Sequence, residues 1–170
     1  GVNLLIGNSE NTVPDGDWGI VNISHYERQA AGLDEINQDH YYRDQAINYI
    51  LTHKLASVKM YFLKLLNFFN YRNQLVTKSE ASTARDLLML VTYGPLLLLA
   101  IARLVLSKSY RLSPFEILLV VTYLMGALVS AIFVTRIRYR IPFDYMLIML
   151  GAIFINKLIE DRLIPNLTQG

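Results

Sequence analysis

Three apolar blocks, Leu87–Val105, Ile117–Val134 and Tyr145–Ile159, restrict this chain to very few folds. A helix crosses bilayer hydrocarbon with about 20 predominantly apolar residues, and about 17 can suffice. The middle block carries no charged residue. The first contains Gly94-Pro95, which membrane helices tolerate when neighbours satisfy the freed backbone. The third is short but approaches the required length with Phe143, and Lys157 near its end can snorkel. Gly126, Ala127, Ser130 and Ala131, with Gly151 and Ala152, are small enough for close helix contact. The expected fold is an all-α membrane protein with transmembrane helices over about 87–106, 116–135 and 143–159. Burial of the same blocks in a soluble core is the alternative. Composition weighs against it: 53% of residues are hydrophobic, mean hydropathy is +0.30, and 18% are charged, against about 25% in soluble domains.

The net charge of +2 conceals a gradient. Eight acidic residues precede Gln45, from Glu10 to Asp44, against only Arg28 and Arg43. Basic residues dominate from Lys54 onward. An acidic head on a basic, apolar body predicts an aqueous segment joined to a membrane segment. Residues 1–45 are punctuated by Gly7-Asn8, Pro14-Asp15-Gly16, Asn22 and Gly32 and predict a loop region with a short helix over His25–Gly32. Asn22-Ile-Ser24 and Asn166-Leu-Thr168 match the glycosylation sequon, a pattern that chance often supplies. From residue 46 to 71, Ile47, Ile50, Leu51, Leu55, Val58, Phe62, Leu65, Leu66 and Phe69 recur at helical steps. Lys54, Lys59 and Lys64 spread around the polar side. This predicts a basic amphipathic helix in the membrane interface, or one packed on a soluble core. A hinge over 72–85 and a tail over 161–170 complete the plan. Because Gly1 begins without an initiator Met or an apolar leader, the chain is expected to be a piece of a longer protein.

The stretch Thr135-Arg-Ile-Arg-Tyr-Arg-Ile-Pro-Phe-Asp144 lies between two apolar blocks. If it is extended, Arg136, Arg138 and Arg140 point one way and Ile137, Tyr139 and Ile141 the other. If it is helical, Arg138 lies roughly 160° from the point where Arg136 and Arg140 converge. Pro142 disfavours helix at Ile141, so an extended connector is expected. Arginine forks suit phosphate, and clustered cations at a membrane surface suit anionic head groups. Simple interfacial anchoring fits the same residues, and Tyr139 fits both. Three spans put the loop with Lys108 and Arg111 and the loop with the three arginines on opposite faces. The positive-inside rule satisfies only one. The acidic head shares a side with the arginine row, so residues 1–85 are expected to be extracytoplasmic.

Other chemistry is faint. His25, His40 and His53 lack helical metal-ligand spacing, and Asp15 and Asp17 flank Gly16 in an ordinary turn sequence. No metal site, phosphate-cradling glycine loop or nucleic-acid partner is expected. Cysteine is absent, which excludes disulfides and thiolate ligands.

Three motifs carry a family resemblance. Asn3-Leu-Leu-Ile-Gly-Asn8 resembles the segment that opens an extracytoplasmic loop in bacterial membrane glycosyltransferases of the GT-C type. Ala46-Ile-Asn-Tyr-Ile-Leu-Thr-His53, followed by Lys59 to Phe69, is similar to the juxtamembrane helix of those proteins, with Lys54 where relatives often have proline. Arg138-Tyr-Arg-Ile-Pro142 resembles the element that precedes a late transmembrane helix. The relatives are protein O-mannosyltransferase-like, aminoarabinose transferase-like and mannosyltransferase proteins. The resemblance implies transfer of a sugar from a polyprenyl-phosphate carrier to an extracytoplasmic acceptor, in a bacterial inner membrane. It further implies that the lipid-linked sugar donor is the substrate and that Arg138 and Arg140 contact the carrier phosphate, with Arg136 and Tyr139 beside them. The catalytic acidic residue is expected in a preceding part of the same protein, with which these spans would assemble. A non-enzymatic scaffold or anionic-lipid-binding subunit is the alternative.

Overall fold

The computed structural model describes residues 1–16, 23–72, 83–108 and 111–167, with side chains as far as Glu160. Asp17, Asn22 of the first sequon, Thr168 of the second, most of the 72–85 hinge and the side chains of the 161–170 tail lie outside the described residues. All regular structure among the described residues is helical. The helices are α1 (Val2–Gly7), α2 (Ile23–Ala30), α3 (Glu35–Thr52), α4 (Lys54–Phe68), α5 (Thr83–Val105), α6 (Pro114–Ile132) and α7 (Ile137–Leu167).

Three segments are long and apolar enough to cross a membrane: Thr83–Lys108, Pro114–Ile132 and Ile137–Glu160, with mean hydropathies of 2.0, 2.1 and 1.5. Many of their leucines, isoleucines and valines face outward, among them Leu87, Leu98, Leu118, Val121 and Ile148, while Leu119, Leu147 and Leu150 are buried. Such a surface would be untenable in water and is what a lipid environment requires. The chain is built as an integral membrane protein.

Several boundaries differ from expectation. The region before residue 46 is more helical than a loop with one or two short helices, since α1, α2 and the first half of α3 occupy it, α2 overlapping the helix expected over His25–Gly32. Asp34 caps α3, its Oδ1 accepting from the Asn37 amide at 2.8 Å. The helix expected over 46–71 is two helices. His53 leaves helical geometry at ψ 50°. Before it, the Thr52 hydroxyl donates to the Asn48 and Tyr49 carbonyls at 2.7 and 3.2 Å.

The extended connector expected at Thr135–Asp144 is also corrected. Only Phe133–Arg136 separates α6 from α7, and Pro142 lies inside α7. Its missing N–H would have pointed at the Arg138 carbonyl. A membrane helix tolerates that loss, whereas an unpaired extended strand in lipid does not.

The chain forms two compact units, Gly1–Ser82 with Ala127–Arg140, and Thr83–Gly126 with Ile141–Gly170. In the first, the α6–α7 connection is held by side chains reaching its backbone. Asn8 Nδ2 donates to the Ile132 carbonyl at 2.9 Å, Asn67 Nδ2 donates to Thr135 O at 2.8 Å, and Thr135 N donates to Pro14 O at 3.0 Å. A non-helical segment offers carbonyls that need donors, and asparagine supplies them.

In the second unit, Gly126 lets the Phe143 ring approach, since a Cβ there would lie 2.5 Å from a ring carbon. Tyr93 and Tyr123 share a buried hydroxyl contact at 3.1 Å. One end of this unit carries a buried ionic cluster. Glu116 receives Arg103 Nε at 2.6 Å, Arg103 Nη2 at 3.1 Å and Lys157 Nζ at 2.8 Å.

Candidate lipid-phosphate site

Helical geometry disperses the three arginines. Arg136 and Arg140, four residues apart, turn toward the protein, and Arg138 faces away from them. Arg136 donates from Nε to Asp15 O and from Nη2 to Gly16 O, both at 3.1 Å. It fastens the turn that follows α1. Arg140 is 1% exposed and donates from Nη1 to the Phe68 carbonyl at 3.3 Å and to Asn70 O. It is a cation at the C-terminus of α4, where the helix leaves its last carbonyls without intrahelical donors.

Arg138 is different. It is exposed, donates from Nη2 to the neighbouring Tyr139 hydroxyl at 2.8 Å, and its guanidinium carbon stands 4.9 Å from the Tyr139 ring centroid. Among the described residues no carboxylate pairs with it. Stacking on tyrosine orients the guanidinium plane while leaving most of its five N–H donors available. Arg138 and Tyr139 therefore form an outward-facing cationic and aromatic pair at the first turn of an apolar helix. The four candidate residues are neighbours in sequence, yet only these two share an open face.

The sequence reading missed two buried groups. Lys64, assigned to a polar helix face, is fully buried. Its amine donates to Gly7 O at 3.1 Å, Ile132 O at 3.3 Å and Phe133 O at 2.8 Å, with Asn8 Oδ1 at 3.5 Å. These acceptors belong to the C-terminal ends of α1 and α6, which favour a cation. Burial pushes the Lys64 amine down to about 8. Nothing in the sequence marked this lysine beyond its place between Leu63 and Leu65.

The second group, Arg103–Glu116–Lys157, did have a signal. Ser113-Pro114-Phe115-Glu116 is a capping box with proline at the first helical position. The structure forms it, with Ser113 N donating to Glu116 Oε2 at 2.8 Å and Glu116 N donating to Ser113 Oγ at 3.3 Å.

Among the described residues no group of three or more His, Asp or Glu side chains could hold a metal ion. No family model matches the chain, and no curated protein or solved structure matches it.

Proposed function

We propose that this chain is the C-terminal membrane portion of a glycosyltransferase that moves a sugar from a polyprenyl-phosphate-linked donor to an acceptor outside the cytoplasm. One observation carries the reading. An exposed arginine, braced by its own tyrosine neighbour, stands at the start of a helix apolar enough to cross a bilayer. A carrier phosphate would meet it near the depth where head groups lie. In the transfer, an acceptor hydroxyl forms a bond to the anomeric carbon as the bond from that carbon to the carrier phosphate oxygen breaks. The hydroxyl proton goes to the catalytic carboxylate that the resemblance implies elsewhere in the full protein, the electron pair goes to the phosphate, and Arg138 would stabilise the added negative charge with donors fixed in advance. Arg136 and Arg140 act here as positioning residues, holding the first turn of α7 against backbone carbonyls. On this reading α4 lies in the interface and residues 1–85 are extracytoplasmic.

The second reading is a membrane scaffold that holds anionic lipids. It is favoured by the lack of a base or nucleophile in hydrogen-bonding contact with Arg138 among the described residues. Transfer of radiolabelled sugar by the full-length protein separates the two. Transfer reduced by about 100-fold or more in Arg138→Ala, the order expected for losing one charge-stabilising donor, supports the enzyme. Phosphate-dependent lipid retention without transfer supports the scaffold. Neither activity would remove both readings.

A further inference from the structure

A cavity of about 70 Å³ opens in the first unit between the turn after α1 and the α3–α4 break. Asn8 and Glu10 line one side, and Tyr49, Ala56, Ser57 and Met60 line the other. A water-sized group needs about 10–15 Å³ on this measure, so the space takes roughly five such groups. The Ser57 Oγ is buried and has no hydrogen-bond partner among the described residues. A helical serine commonly returns its hydroxyl to the carbonyl four residues back, yet here the His53 carbonyl receives only the Ser57 amide, at 2.9 Å. A buried hydroxyl left unpaired costs about 1–3 kcal/mol, so this one is suited to a group that enters the cavity.

We propose that the cavity binds a small neutral ligand with adjacent hydroxyl groups. The two charges around it are opposite in sign and offset each other, so neither a net anion nor a net cation meets a uniformly attractive field. Glu10, exposed at the rim, repels phosphates and carboxylates. The Lys64 ammonium is bonded to Gly7 O and lies near Asn8 Oδ1, both in the wall that carries Glu10, and repels amines. A neutral polyol escapes both. One hydroxyl meets Ser57 Oγ, a second donates to the Glu10 carboxylate, and the carbon skeleton rests on Met60 and the Tyr49 ring, itself stacked on His53 at 4.5 Å between ring centroids. The Ser9 and Thr12 side chains contact each other at 3.2 Å, and Thr12 Oγ1 also donates to Ile6 O, so they build the wall rather than seek a ligand. The site is independent of the phosphate reading, since neither Arg138 nor Tyr139 lines it.

The vicinal hydroxyls could belong to a free polyol or to one edge of a sugar ring whose remainder stays outside the cavity. Saturation-transfer NMR on the intact protein in glycerol-free lipid nanodiscs distinguishes them, with glycerol and methyl α-mannopyranoside as neutral probes. Glycerol 3-phosphate and ethanolamine serve as the charged controls. Transfer to glycerol alone assigns a free polyol, transfer to the glycoside a sugar ring, and either supports the site. Ser57→Ala should weaken binding roughly three- to tenfold, the value of one neutral hydrogen bond. Ala56→Phe should abolish it by filling the space, and Arg138→Ala should leave it unchanged. Melting temperatures close to wild type would show that Ser57→Ala and Ala56→Phe remain folded. The proposal is overturned if neither neutral probe receives saturation, if a charged control binds better, or if Ser57→Ala and Ala56→Phe bind as wild type does.

Discussion

At the scale of single residues, Lys64 and the three arginines divide the cationic labour of the first unit. Lys64, Arg136 and Arg140 each donate to backbone carbonyls and are thereby consumed in holding the fold. Arg138 alone among them has only a side-chain neighbour as its bonded partner. Lys64→Met should destabilise the protein, because the carbonyls at the ends of α1 and α6 lose their shared donor; a cost of about 1–3 kcal/mol is expected, read as a lower melting temperature. The same lysine gives a pH signature. Burial lowers its folded value from 10.5 to about 8, so between those values the unfolded chain binds more protons than the folded one, and stability rises with pH there. The contribution is fully present above 10.5 and lost as pH falls through about 8, with an upper size of roughly 3 kcal/mol. Melting curves of wild type and Lys64→Met, compared across pH 7.5–10.5, should diverge as pH rises, because only the wild type gains stability from losing the buried charge. Parallel curves would contradict the assignment.

Elements show where sequence patterns were sufficient and where they failed. The three spans were legible because nothing but apolar periodicity is needed to place a membrane helix. The Arg136–Arg138–Arg140 row was misread because the local signal from Pro142 was given more weight than the demand of lipid for a continuous helix. The split at His53 has no signal in the apolar periodicity, which runs through it from Ile47 to Phe69. The start of α6 was readable in Ser113–Glu116, but that Glu116 would also pair with Arg103 and Lys157 requires the end of α5, the start of α6 and the body of α7 to meet. Glu116→Leu alone should cost about 3–5 kcal/mol because it strands buried cations, while Arg103→Met combined with Glu116→Leu should cost markedly less. Thermal unfolding of the single and double variants checks this, and equal losses would contradict it. Two glycines give a graded comparison. A Cβ at Gly7 would meet the Phe133 carbonyl oxygen at 2.0 Å, whereas one at Gly126 would meet only the Phe143 ring. A ring can swing and a backbone held by Lys64 cannot, so Gly126→Ala should cost about 1–3 kcal/mol and Gly7→Ala more, measured in the same assay.

At the scale of the whole molecule, three apolar helices commit the chain to a bilayer, and a short connection between the last two gathers polar side chains onto its backbone. That gathering makes the first turn of α7 rigid, so the outward pair Arg138–Tyr139 is held by structure it does not itself provide. On the proposed function, Arg138 contacts a lipid phosphate while Arg136 and Arg140 support it. Equilibrium binding of a polyprenyl phosphate to the intact protein in neutral-lipid nanodiscs tests it, with melting temperatures recorded for each variant. Arg138→Ala should weaken binding roughly 10- to 150-fold at an unchanged melting temperature, the range for one charge-assisted contact. Arg140→Ala should lower the melting temperature first. Unchanged binding in Arg138→Ala would contradict the claim.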